Sequence, residues 1–377
     1  MRSGRPSETA GGRSGPRDSA WATAGHLAIG LEAGLDAAAL LFLPLLVLAP
    51  RGVAPLASVA GLFAAGLVLC SNRPIRRPGL AVPAALIGLL LVWGGASAIW
   101  AIDPLRSLDQ AARLAGIFAA GLALAVAAEL ISAPQRLTAL LVAGCILGIG
   151  LATVDLATYG ALSKPFSDRF YQDTWLNQAS VTLAMLLLPV SAVTVERGRR
   201  AGGLLFAAVA VATVCALAGT AAKVALAAGL PMAFLCYCWR ARAARAAALV
   251  SILVVISAPL TFARLERVSD LVAAADAVKF SAGHRLLIWS FVGDRIAERP
   301  LAGWGLDASR AIPGGKDPIE AGATWLPLHP HNAPLQLWLE LGVPGAVLFA
   351  LLAASAWLAL ARAGWPRAAR QRFCTAG

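Results

Sequence analysis

Ten stretches of the chain are apolar for long enough to cross a lipid bilayer: about 27–49, 54–70, 80–100, 111–131, 137–157, 176–195, 203–219, 222–238, 246–263 and 333–361. A spanning helix needs about 20 such residues. Lipid offers no partner for an unpaired amide, so each run is predicted as a helix. Between the ninth and tenth runs the pattern changes, and residues 264–332 form a 69-residue polar segment. A connection that long, inside a bundle of otherwise short ones, points to function. Within it Leu265, Val268, Leu271, Val272, Ala275 and Val278 recur at helical spacing, and Trp289, Val292 and Ile296 line one face of 284–299. Both stretches are predicted as amphipathic helices, lying on the outer leaflet or packed onto the bundle. Gly303-Trp304-Gly305 and Pro313-Gly314-Gly315 then mark 300–330 as a lid or binding loop. The predicted fold class is an all-α polytopic membrane protein of about ten transmembrane helices with one large external loop. Its layout is a disordered tail (1–24), nine helices (25–263), the external loop (264–332), the last helix (333–361) and a second tail (362–377).

Composition agrees. Hydrophobic residues make up 59%, charged residues only 14%, and the mean hydropathy is +0.72, whereas soluble domains carry about 25% charged residues. A net charge of +12 would fit a nucleic-acid binder, but its distribution argues otherwise. With a cytoplasmic N-terminus, eighteen Lys and Arg fall in the tails and loops of that side, among them Arg73, Arg76, Arg77, Arg136, Arg197 and Arg240. Six fall on the other side, in Arg51, Arg106, Arg113, Lys164, Arg169 and Lys223. The positive-inside rule therefore places both termini in the cytoplasm and 264–332 outside. Cys70, Cys145, Cys215, Cys236 and Cys238 lie in or beside apolar runs and Cys374 in a tail, so no disulfide framework is implied.

Candidate chemistry concentrates where the external loop meets the last run, at His329-Pro330-His331-Asn332, which holds two of the chain's four histidines. Imidazole titrates nearest neutrality and serves as a general base with little tuning. Asn332 is equally suited to cap the last helix. A metal bound by His329 and His331 would need a third ligand from Asp307, Asp317 or Glu320 in an irregular loop, and no metal site is expected. Ionisable residues at membrane depth are the other candidates. Lys223, at an outer turn, is either an anion contact or a lysine reaching for the interface. Arg285, in Gly283-His284-Arg285-Leu286-Leu287-Ile288-Trp289, is either an anion contact or an interfacial anchor. Glu340 partners a cation or holds the histidine helix in place. Glu32 and Asp36, four apart, and the isolated Glu129 and Asp155 are expected to make structural pairs. No phosphate-binding glycine loop, dinucleotide fingerprint or glycosidase-like carboxylate pair is present.

These residues resemble the O-antigen ligase and polymerase superfamily of bacterial envelope enzymes. The resemblance rests on Trp100-Ala-Ile-Asp103-Pro104-Leu-Arg106-Ser107-Leu108, on Lys223 where an arginine is more usual, and on Gly283–Trp289 followed by Pro300-Leu-Ala-Gly303-Trp-Gly305. Its most specific part is His329–Asn332 followed by Leu335, Gln336, Glu340, Gly342 and Gly345. It implies a glycosyltransferase of the inner membrane with a periplasmic catalytic loop. Such an enzyme moves a glycan from undecaprenyl diphosphate to an acceptor hydroxyl, which is lipid A–core for a ligase and another glycan repeat for a polymerase. It further implies His331 as base with His329 beside it, Arg285 and Lys223 on the diphosphate, Asn332 and Glu340 in support, and no cofactor or metal. A lipid-linked glycan transporter, or a non-catalytic partner of polysaccharide assembly, would use the same basic residues without making bonds. Neither inverted repeats nor paired broken segments are evident in the sequence.

Overall fold

The computed structural model describes residues 16–71, 78–166, 176–267, 270–278, 280–319 and 323–362. Residues 1–15 and 363–377 of the expected tails lie outside the described residues, as do Arg73, Arg76, Arg77, Arg169, Glu320 and Cys374. The helices in order are α1 (Pro16–Leu48), α2 (Val53–Cys70), α3 (Pro78–Ala96), α4 (Pro104–Ala127), α5 (Pro134–Ala157), α6 (Asn177–Glu196), α7 (Arg200–Ala216), α8 (Thr220–Thr261), α9 (Leu271–Val278), α10 (Phe280–Glu298) and α11 (Ala333–Arg362). Among the described residues there is no β-strand, only an isolated bridge between Pro318 and Thr324.

Eight helices among the described residues are long and apolar enough to cross a membrane, which makes the chain an all-α polytopic membrane protein. The ten apolar runs map onto fewer such helices for two reasons. The eighth and ninth runs join in the 42-residue α8, which is interrupted by non-helical backbone at Trp239 (φ −132°, ψ 41°) beside Arg240 and Arg242. The seventh run forms α7, which has only 17 residues.

The chain divides into two compact units, Met1–Pro74 with Ala120–Lys223, and Ile75–Ala119 with Val224–Gly377. In the first, α5 lies tightly on α1. A Cβ at Gly144 would meet the carbonyl oxygens of Ala39 and Leu40, and one at Gly148 would meet the Leu43 side chain. Small residues let helix backbones approach where lipid supplies no hydrophobic drive between helices. The buried carboxylates of this unit all have structural partners. Glu32 accepts the Ser132 N–H (2.9 Å) and hydroxyl (2.6 Å), and Asp36 pairs with Arg136 at 2.5 Å. Asp155 accepts two backbone N–H groups and the Ser163 hydroxyl.

In the second unit, α10 turns Ile288, Val292 and Ile296 into a core shared with Trp304, Ile312, Leu326, Leu335 and Leu339. Spacings of four put the three α10 residues on one stripe, as the sequence pattern predicts for Val292 and Ile296. The expected polar loop thus contains α9, α10 and an irregular segment packed against α10. The sequence pattern gives a continuous last helix, but α11 is broken at Gly342 (φ 61°, ψ −154°), a conformation essentially restricted to glycine. The break frees backbone groups, and neighbouring segments take them up. Trp304 N–H donates to Leu339 O (2.9 Å), Gly305 N–H to Glu340 O (2.9 Å), Trp93 Nε1 to Leu341 O (2.9 Å), and Val343 N–H to Pro300 O (3.0 Å). Irregular backbone at membrane depth needs such protein partners. Gly303 and Gly342 permit the approach, since a Cβ on Gly303 would meet the backbone of Glu340 and one on Gly342 that of Leu301.

Candidate active site

The histidine segment is held at both ends by hydrogen bonds to backbone. Asn332 Oδ1 accepts the Leu335 N–H (3.2 Å) and Asn332 O accepts the Gln336 N–H (2.9 Å), so Asn332 caps α11. Pro330 is buried, and its carbonyl accepts Trp289 Nε1 from α10 at 2.8 Å. Trp289 packs edge-on against Phe262, with ring centroids 5.6 Å apart. Between these anchors His331 adopts left-handed backbone (φ 54°). For a residue other than glycine this costs of order 1–3 kcal/mol and persists only where the surroundings enforce it. The same turn brings the rings of His329 and His331 to 4.2 Å and lets His329 Nδ1 accept the His331 N–H at 3.3 Å. That bond requires the proton of a neutral His329 to sit on Nε2.

Basic residues gather around His331. Desolvation of its ring moves the pKa below the ordinary histidine value, and the charges of His329, Arg285 and His284 push in the same direction. The shift favours the neutral, proton-accepting form of the imidazole. Arg285 is exposed in the first turns of α10. His284 Nε2 lies 2.9 Å from Thr324 O, so it carries a proton and ties α10 to the segment before the histidines. His284 is absent from the candidates drawn from sequence, although it stands inside the Gly283–Trp289 motif. Its partner carbonyl lies forty residues on, in a stretch without periodicity.

Glu340 sits at a second polar centre. It is 4% exposed and accepts the Asp307 N–H (2.9 Å), the Ser309 hydroxyl (2.5 Å) and the Gln336 amide (3.2 Å). The turn it holds presents Asp307, itself left-handed at φ 57°, to Arg106 Nε at 2.6 Å. Arg106 belongs to the 100–108 stretch, which docks onto 302–307. Trp100 Nε1 donates to Ala302 O, Ile102 N–H to Trp304 O, and the Ser107 hydroxyl to Leu306 O. Three of the motifs singled out in the sequence therefore pack together, joined by Glu340. All three groups from which Glu340 accepts are neutral.

Lys223 is exposed in the first turn of α8 and belongs to the other compact unit. Among the described residues no three His, Cys, Asp or Glu side chains converge to hold a metal ion. Of the third ligands weighed for His329 and His331, Asp307 is engaged by Arg106 and Glu320 is outside the described residues.

Comparison with known proteins meets this site. Residues 204–350 match the O-antigen ligase family model. A candidate polysaccharide ligase of Rickettsia conorii is 49% identical over 76 residues, 19% of this chain and 18% of that protein. Its counterparts in Rickettsia felis and Rickettsia prowazekii are 45% and 46% identical over 76 residues, 19% of each chain. The chain thus matches about a fifth of the length of these relatives. No solved structure shows significant similarity. Residues 204–350, the part of the chain that is similar to the O-antigen ligase family, contain both α10 and the histidine segment.

Proposed function

We propose that this protein is a metal-independent, inverting glycosyltransferase of the bacterial inner membrane. It moves a glycan from undecaprenyl diphosphate to a hydroxyl of lipid A–core at the periplasmic face. The observation that carries the proposal is the exposed His331 imidazole, presented by a left-handed turn just before α11, with its pKa lowered by desolvation and by basic neighbours that include Arg285. The acceptor hydroxyl gives its proton to His331 while its oxygen bonds to the anomeric carbon. The bond from that carbon to the diphosphate oxygen breaks from the opposite face, and the electron pair leaves with the diphosphate. Arg285 neutralises the departing charge, as a planar, permanently charged donor fork suits phosphate oxygens. His329, through its Nδ1 contact, fixes the turn that presents His331. Asn332 and Glu340 set the helix from which the segment projects.

In this reading both termini are cytoplasmic, and 264–332 is the periplasmic catalytic loop between the first nine helices and the last. Lys223 keeps its assignment as an anion contact from sequence position alone.

The test is the lipopolysaccharide and exopolysaccharide profile of a deletion strain complemented with wild type or His331→Ala. Long glycan on lipid A–core restored only by wild type is the expected result. Untouched core with shortened free polymer would make the protein a polymerase of the same superfamily. Equal complementation by both genes would remove the catalytic role of His331 and leave a transporter or assembly partner.

A further inference from the structure

The segment after Ile312 folds back on itself beside α10. Gly315 N–H donates to Ile312 O, Leu326 N–H to Gly315 O, and Trp325 N–H to Asp317 O. Ile312 and Leu326 are 4% and 1% exposed and already fasten this hairpin into the core. Trp325 is not part of that buried anchor. It is half-buried and stacks on Phe291 of α10, centroids 6.0 Å apart and planes 23° apart. The Arg295 guanidinium lies over the same phenylalanine, 5.3 Å from its centroid. Asp317 flanks the stack, because a Cβ built on Gly314 would lie 3.6 Å from both Asp317 Oδ2 and Phe291 Cε2. Asp317 and Gly314 are exposed, so the edge of the stack opens to solvent beside a carboxylate.

The location ties this rim to the proposed chemistry. Phe291 lies seven residues beyond His284 and on the same face of α10. At 1.5 Å rise per residue the separation along the helix is about 10 Å. Thr324, whose carbonyl contacts His284, immediately precedes Trp325. An aromatic face is electron-rich and attracts the slightly positive C–H groups of an apolar sugar face, while an adjacent carboxylate accepts hydroxyl protons. Binding sites commonly pair aromatic walls with a few polar groups in this way.

The geometry points to a saccharide subsite at Trp325, Phe291 and Asp317 that holds a pyranose ring of the donor glycan away from the reacting carbon. A ring stacks on the face of Trp325 turned away from Phe291, and its hydroxyls donate to Asp317. The subsite deepens the transferase reading and rests on it: it sets which glycan is taken, whereas His331 sets the rate of bond formation.

The test uses the full chain in nanodiscs, the cell's own lipid-linked glycan as donor, and the oligosaccharide released from that donor by mild acid as a binding probe. Trp325→Leu keeps apolar bulk without the π face, and Trp325→Phe keeps the face. The expected result is an apparent KM for donor raised about tenfold by Trp325→Leu, little changed by Trp325→Phe, with kcat nearly constant and saturation-transfer signals from the probe lost in step. Asp317→Asn shifts KM in the same direction by a smaller factor. A Trp325→Leu protein that binds and reacts like wild type, or one that loses kcat with KM unchanged, overturns the subsite while His331-dependent turnover stands. A wild-type protein that neither binds the probe nor transfers glycan overturns both.

Discussion

Glu340 and His331 lie nine residues apart, one inside α11 and one just before it, yet their surroundings are opposite. Glu340 is almost wholly buried and both its oxygens accept from neutral donors. His331 is exposed, strained at φ 54°, and surrounded by His329, Arg285 and His284, which oppose its protonation. A buried polar group with its hydrogen bonds made defines a structure. An exposed imidazole whose protonation is opposed by its surroundings is suited to accept a proton from a bound group. The contrast sets a buried anchor inside α11 against the proposed base just before it.

Perturbing His331 gives the largest effect. His331→Ala should lower glycan transfer by about 10²–10⁴-fold, the range for a lost general base. It should leave thermal stability in detergent nearly unchanged, since alanine keeps the same left-handed backbone and the side chain removed is exposed. Gly342→Ala acts on the scaffold, where it strains backbone reserved for glycine and meets Leu301. We expect a stability loss of roughly 3 kcal/mol, read by detergent denaturation, with activity falling only as folded protein is lost. Glu340→Ala strands the Asp307 N–H and the Ser309 hydroxyl and should cost about 2 kcal/mol in the same measurement. A Glu340→Ala protein as stable as wild type but inactive would reverse the assignment and make Glu340 part of the chemistry.

Trp289→Phe keeps the ring beside Phe262 but deletes the bond to Pro330 O. It should cost about 1 kcal/mol in stability. Because that bond fixes the histidine turn, transfer should also fall, by less than for His331→Ala. The smallest signature is in pH. A folded pKa below 6.5 means that the neutral, proton-accepting form of His331 survives to lower pH than a free histidine would. The acid limb of kcat/KM for transfer therefore lies below pH 6.5, with activity lost as pH falls through it. An acid limb at or above 6.5 would place the titrating group elsewhere.

Much of this was legible in the residues. Runs of apolar side chains are long-range averages that single substitutions do not obscure, so the helical membrane architecture followed from pattern alone. The histidine segment stood out because histidine is rare here and sits at a polarity boundary. The break in α11 did not stand out, since glycine and proline are frequent in membrane helices and Gly342 and Pro344 carry no mark of interruption. Its cause is the Pro300–Gly305 backbone, whose approach depends on chain folding across some forty residues. The two readings of Glu340 were equal in sequence for the same reason, as its donors Asp307 and Ser309 come from an irregular segment more than thirty residues away. Trp239 in α8 shows the converse, where two predicted spans share one helix across a local kink.

The most direct measurement is the rate of glycan transfer from purified lipid-linked donor to purified lipid A–core by wild type and His331→Ala, with thermal stabilities matched. The account predicts turnover by wild type and a loss of at least about 10²-fold in the variant. Equal rates in the two proteins would contradict it.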